Sequence, residues 1–173
     1  MPKEQRRCCR GSKGCKEQLL ISKVILQECT SRKKNVCVAW IDYQKAFDSV
    51  PHSWIIKSFE LIGISNIIIS YTKKAMSYWK MSMHLHNEGK IIETEDLEIK
   101  CGIFQGDLLS PLLFCISLIP LKEQVNKLNT GPHDVTKLSH KLYMDDLKLV
   151  GKTEEGLQKQ MQVVRTYIDG ICT

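Results

Sequence analysis

The elements readable in this chain run strand, helices, hairpin, helix, hairpin, helix, an order that suits an α+β fold built on an antiparallel sheet. Three observations predict it. Val36-Cys37-Val38-Ala39-Trp40-Ile41 is a near-continuous apolar run rich in β-branched residues, which reads as a buried strand. Two short alternating runs flank Asp145-Asp146 and read as a hairpin. Apolar residues at helical spacing fill much of the remainder.

Taken in order, Cys15 to Gln27 reads as a helix with Leu19, Leu20, Val24 and Leu26 inward. Asp42 ends the first strand, where a carboxylate is costly unless paired or bound to metal. Asp48 and Ser49 are cap types for the next helix, Pro51 suits its first turn, and Gly63 stops it after Trp54, Ile55, Phe59 and Ile62. Ser65 caps a helix over Asn66 to Ser77. Trp79, Met81, Met83 and Leu85 then alternate as a half-buried strand, with His84 and His86 on its wetter face, a surface strand in preference to a metal site. Asn87-Glu88-Gly89-Lys90 turns the chain, which returns through Leu97, Ile99 and Cys101. A further helix begins near Leu108 and is interrupted at Pro120, and Asn129-Thr130-Gly131-Pro132 is a loop. In the second hairpin Leu138, His140 and Leu142 share a face, and the last helix spans about Glu154 to Ile168.

At 173 residues the chain suits one domain with a sizeable core. No run is long enough to span a bilayer and the N-terminus lacks a signal peptide's apolar stretch, so the expectation is a soluble protein of nucleus or cytoplasm, neither membrane-bound nor secreted. Net charge is +6, but residues 1–34 hold ten Lys or Arg against three Glu, leaving −1 for the other 139. Such a basic segment suits a phosphate backbone or a triphosphate, with a solvated basic face as the plainer alternative. The eight cysteines contain no CxxC pair and read as reduced thiols, Cys37 and Cys115 in the core, in preference to disulfides or a zinc site at Cys8, Cys9 and Cys15.

Asp42, Gln105-Gly106-Asp107 and Tyr143-Met144-Asp145-Asp146 carry the chemistry. Alone, Asp145-Asp146 is explained as a turn pair. With Asp42 before it on a strand end, the set could hold two divalent ions about 3.5–4 Å apart, one activating a hydroxyl and one neutralising a triphosphate. Mg²⁺ suits such a set, because it takes oxygen ligands and is held by few carboxylates plus substrate phosphates.

These segments resemble a known family. Asp42-Tyr43-Gln44-Lys45-Ala46-Phe47-Asp48-Ser49-Val50-Pro51-His52 resembles motif A of the reverse transcriptases of non-LTR (LINE-type) retrotransposons. Gln105-Gly106-Asp107-Leu108-Leu109-Ser110-Pro111-Leu112-Leu113-Phe114 resembles motif B and Tyr143-Met144-Asp145-Asp146 motif C. Gln5 to Gln18 faintly resembles a fingers motif, and group II intron enzymes are more distant relatives. The resemblance implies a right-hand polymerase palm, an antiparallel sheet with helices packed on one face. Residues 1–35 would be a partial fingers segment and 36–173 a palm truncated before its last strand, with no thumb. It implies RNA-directed DNA polymerisation, with Asp42, Asp145 and Asp146 catalytic and holding two Mg²⁺ (Mn²⁺ as a possible substitute). Tyr43, Phe47, Gln105 and Gly106 would bind nucleotide. Phe47 would be the ring that clashes with a ribose 2′-OH, which disfavours the related RNA-synthesising polymerases. Gly106 would allow close backbone approach. Arg6, Arg7 and Arg10 are candidate triphosphate contacts. Asp48 reads as a helix cap in preference to a ligand, Lys45 as a solvated charge in preference to a phosphate contact, and Tyr143 as packing the hairpin beside the primer terminus. Partners implied are an RNA template, a DNA primer, deoxynucleoside triphosphates and the remainder of a retroelement polyprotein. The expectation is a fragment with little activity alone; the alternative is a non-catalytic remnant that binds nucleic acid through its basic N-terminal part.

Overall fold

The computed structural model describes residues 11–87, 90–128 and 139–171. Its centre is a three-stranded antiparallel sheet in the order β1-β7-β6, made by β1 (Cys37–Ile41), β6 (His140–Tyr143) and β7 (Asp146–Gly151). Cys37 pairs with Gly151 and Ile41 with Leu147 on one side of β7, while His140 pairs with Leu149 and Tyr143 with Asp146 on the other. Asp42, one residue beyond β1, therefore comes out level with Asp146.

Side chains alternate across this sheet, and the alternation sorts its two faces. Ala39, Ile41, Leu142, Leu147 and Leu149 point into the main core. Helices α2 (His52–Leu61), α4 (Ser110–Ser117), α5 (Ile119–Lys127) and α6 (Glu154–Ile171) supply Ile55, Phe59, Phe114, Leu121, Val125 and Val164 to the same core. Helix α3 (Asn66–Ser77) adds Ile69 and Met76 behind α2. Leu147 and Leu149 are 1% and 0% exposed, and burying each contributes about 1.5–3 kcal/mol. Five helices, α2 to α6, thus pack on one face of the antiparallel sheet, as predicted for the palm. The opposite face meets helix α1 (Cys15–Ser31), where Val150 packs against Ile25 and Cys29 with Ile21 and Val36 at the edge.

That second contact corrects the sequence reading of α1. Leu19, Leu20, Val24 and Leu26 are exposed, at 65, 62, 42 and 46%, and the stripe that docks is Ile21, Ile25 and Cys29. The sheet offers this helix a narrow apolar target, because Lys141 and Lys148 occupy much of that face and donate to α1 instead. For the same reason β1 is half-buried, not the fully buried strand expected, and Trp40 is 73% exposed.

Other boundaries also differ. Pro51 is the N-cap of α2, so neither Asp48 nor Ser49 caps it; the Ser49 hydroxyl donates to the Ala46 carbonyl at 3.2 Å. Ser65 holds the N-cap position of α3 without a side-chain bond to it. The break between α4 and α5 falls at Leu118, and Pro120 sits in the first turn of α5, where its missing N–H costs nothing. The strand expected through Leu85 is two short ladders: β2 (Lys80–Met81) pairs with β5 (Leu97–Glu98), and β3 (His84–Asn87) with β4 (Lys90–Glu93). Met83, Leu85, Ile91 and Ile92 are all at least half exposed, because these ladders have no layer behind them. Cys15, Cys29, Cys37, Cys101 and Cys115 are free thiols; Cys115 is buried as expected and Cys37 half-buried. The readings at Arg6, Arg7, Arg10, Cys8, Cys9, Leu138 and the Asn129 loop lie outside the described residues. Among the described residues no helix is long and apolar enough to cross a membrane.

Candidate active site

Strands β6 and β7 are joined by a two-residue turn, Met144-Asp145, immediately before Asp146. Met144 takes φ 55 at the first turn position, where glycine is usual in this type of hairpin. A left-handed methionine is strained by roughly 1–2 kcal/mol, and such strain persists where surrounding structure fixes it. The turn thus presents Asp145 at the tip and Asp146 at the start of the central strand.

The three carboxylates open onto neighbouring clefts. Asp42 and Asp146, level at the ends of β1 and β7, line a cleft of about 400 Å³ on the α1 side of the sheet. Asp145 lines a second cleft of about 500 Å³ on the side of the motif that follows Asp42. That second cleft gathers Tyr43, Phe47, Gln105 and Gly106, all four residues predicted to meet a nucleotide. Among the described residues no three His, Cys, Asp or Glu side chains lie close enough to enclose one metal ion. The donors present are hard carboxylate oxygens, open to solvent at Asp42 and Asp146. They fit an ion that keeps several waters and takes part of its shell from substrate phosphates.

The second cleft is rigid on its core side. The Phe47 ring stacks on Phe114 at 4.9 Å between centroids, with 19° between planes, and Phe114 is 2% exposed. The Ile103 N–H donates to the Phe47 carbonyl at 2.8 Å, so motif B is tied to motif A beside the ring. The Gln105 side-chain amide donates to the Asp48 carboxylate at 3.3 Å. Asp48, expected to cap a helix, instead holds this glutamine. Asp107 turns the chain just ahead of α4, where its carboxylate accepts from the Leu109 N–H at 2.7 Å; Leu109 itself is the N-cap of that helix. Gly106 has φ +96 with open space where a Cβ would stand, so backbone conformation is what calls for glycine there. Gly102 also has φ +96, and a Cβ would lie 3.2 Å from the Asp48 carbonyl oxygen.

Tyr43, next to Asp42 in the chain, reaches a buried aromatic group that the sequence patterns do not single out. Trp54 donates from its indole to the Tyr167 hydroxyl at 3.1 Å and the Ser117 carbonyl at 3.0 Å. The Tyr167 hydroxyl donates to that same carbonyl. The Tyr43 hydroxyl is buried beside them without a hydrogen-bond partner among the described residues. Burial pushes both phenols well above the ordinary tyrosine range; for Tyr167 the Trp54 bond opposes this and the Tyr43 phenol adds to it.

The α1-side cleft contains basic side chains that no motif flagged. Lys148 lies over the Trp40 ring at 4.7 Å from its centroid, and burial holds its ammonium below the ordinary lysine range. Lys141 is 4% exposed and donates to the Gln18 carbonyl and Ser22 hydroxyl of α1. Strand alternation places residues 141 and 148 on one face, but only the register shows that they meet.

The site thus sets two level carboxylates at neighbouring strand ends, with a third at the adjoining turn beside a cleft walled by a stacked aromatic ring. The reverse transcriptase (RNA-dependent DNA polymerase) family matches residues 3–170, and the chain belongs to it. It is 30% identical over 139 residues to the Pol polyprotein of the type-1 retrotransposable element R2 of Bradysia coprophila, covering 79% of this chain and 15% of that protein. It is 28% identical over 152 residues to the corresponding R2 polyprotein of Nasonia vitripennis, covering 86% and 14%. With the type-2 element R2DM of Drosophila melanogaster the figures are 27% over 151 residues, 84% and 13%. The non-LTR placement expected from the motifs agrees with these relatives, of whose length the chain spans 13–15%. In fold it is similar to apo telomerase from Candida tropicalis truncated from its C-terminal domain, with TM-score 0.61 and 15% identity, over 90% of this chain and 33% of that one.

Proposed function

We propose that this chain is the catalytic palm of an RNA-directed DNA polymerase, acting by two-metal nucleotidyl transfer. The observation that carries the reading is the level placement of Asp42 and Asp146, with Asp145 at the adjoining tip beside Phe47, Gln105 and Gly106. Asp42 and Asp145 would hold a pair of Mg²⁺ ions, with Mn²⁺ able to substitute, and Asp146 would complete the negative field. Such ions lower the pKa of an attacking hydroxyl and neutralise the leaving pyrophosphate.

The chain's own groups do the positioning. Phe47, held by Phe114, stands where a 2′-OH would clash and so selects deoxynucleotides. Gln105, held by Asp48, faces the same cleft, and the backbone at Gly106 leaves it open. Tyr43 contributes the side of its ring, since its hydroxyl is buried. The substrates are an RNA template, a DNA primer and deoxynucleoside triphosphates, which places the reaction inside the cell, in nucleus or cytoplasm. Grip on primer and template would come from the remainder of a longer polyprotein, so this chain by itself would show little activity. RNA-templated primer extension by a complete polyprotein tests the reading. Asp145→Asn should lower extension by about 10³-fold or more, equivalent to about 4 kcal/mol. Equal extension by variant and wild type would remove Asp145 from the mechanism.

A further inference from the structure

A ring that excludes one hydroxyl works by repulsion, so its selectivity depends on what stands behind it. Because that repulsion is steep, a ring free to yield by a fraction of an ångström would relieve most of the clash. Phe47 is half-buried and lines the cleft of about 500 Å³, whereas Phe114 lies in the core behind it, stacked at 4.9 Å and 19°. Phe114 is 2% exposed, and protein interiors are packed densely enough to resist displacement. The cavity it also lines, about 40 Å³, has room for little more than one water. Helix α4, which carries Phe114, is pinned near both ends. Ser110, four residues earlier and so on the same face, is also 2% exposed and donates to the Phe104 carbonyl. At the other end the Ser117 carbonyl accepts from the Trp54 indole at 3.0 Å and from the Tyr167 hydroxyl. The Phe47 backbone is fixed as well: its carbonyl accepts at 2.8 Å from the N–H of Ile103, a residue 3% exposed.

We propose that Phe114 is a positioning residue for sugar selection. It fixes how far the Phe47 ring projects into the cleft, and so how strongly deoxynucleotides are preferred over ribonucleotides. A flat ring gives Phe47 continuous support, whereas an aliphatic chain in its place leaves gaps into which Phe47 can settle. The inference rests on the polymerase reading and on Phe47 as its gate.

The test measures kcat/KM for one deoxynucleotide and the matching ribonucleotide in templated primer extension by a complete polyprotein. Each ratio is taken on a single preparation, so the folded fraction cancels. Phe114→Leu and Phe114→Met, which remove the flat backing but keep an apolar side chain, should each lower the preference about fivefold. Most of this should appear as a lower KM for the ribonucleotide, a gain that a merely damaged core does not produce. Val125→Ala, which opens the same core from α5, should leave the ratio at its wild-type value. In a Phe47→Ala background, Phe114→Leu should lower the ratio no further. An unchanged ratio in both Phe114 variants, with Phe47→Ala lowering it, overturns this inference and leaves the gate in place. A Phe114 effect that persists without the Phe47 ring, or that Val125→Ala reproduces, overturns it equally. An unchanged ratio in Phe47→Ala removes the gate itself and this inference with it. A wild type that extends with neither sugar takes away the polymerase reading and both assignments.

Discussion

Raising the pH above 10 should destabilise this protein more steeply than its surface charges account for, because two buried phenols must stay protonated. Tyr43 and Tyr167 are buried together, and desolvation raises both above the ordinary tyrosine value near 10. Below that value both folded and unfolded chains keep these protons, so neither residue makes stability depend on pH. Above it the unfolded chain releases protons that the native state retains, and the balance moves toward unfolding as pH rises. Each phenol then contributes a slope of about 1.4 kcal/mol per pH unit, or about 2.7 for the pair. At pH 11.5 the loss reaches about 4 kcal/mol, a large part of a typical domain stability of 5–15 kcal/mol. Urea unfolding midpoints measured from pH 8 to 11.5 read this directly. Because lysines also titrate there, the comparison is with Tyr43→Phe and Tyr167→Phe, each of which should remove about half of the excess slope. At pH 7 the two variants should part company. Tyr43→Phe deletes an unpartnered buried hydroxyl and should be neutral or stabilising, whereas Tyr167→Phe loses its bonds to Trp54 and Ser117 and should cost about 1–3 kcal/mol. A double variant with the wild-type alkaline slope would refute the reasoning.

Gly102→Ala should lower stability by about 1–2 kcal/mol in urea unfolding, since φ is +96 and the new Cβ would meet Asp48 backbone atoms at 3.2 and 3.3 Å. A neutral result would show that motif A shifts freely against motif B. In a complete polyprotein, Phe47→Ala should raise ribonucleotide incorporation relative to deoxynucleotide by about tenfold or more, a difference of about 1.4 kcal/mol read by paired primer-extension assays. Unchanged discrimination would assign the sugar gate elsewhere.

Much of this was legible from residue patterns. The strand ending at Asp42 and the hairpin around Asp145 announce themselves, because β-branched runs and a tight acidic turn have few other readings. Helix α2 could be placed by Ile55 and Phe59, but its start could not. Asp48 is a good cap by type, and only tertiary contact shows it held by Gln105. The docking face of α1 was misread for a similar reason. Its leucines look inward on a helical wheel, yet the sheet presents Lys141 and Lys148 to it, so a narrower isoleucine and cysteine stripe is buried. The convergence of those lysines on Ser22 depends on a strand register that local patterns do not specify. The division of the carboxylates between two clefts is equally a property of the turn at Met144, whose positive φ no propensity suggests.

That division makes one measurement decisive: a double-mutant cycle of Asp42→Asn and Asp145→Asn, read as single-turnover nucleotide addition by a complete polyprotein. Residues that serve the same ions act as a unit, so either change alone should remove nearly all of the rate and the two together little more. Losses that multiply, each variant acting independently of the other, would contradict a shared two-ion site.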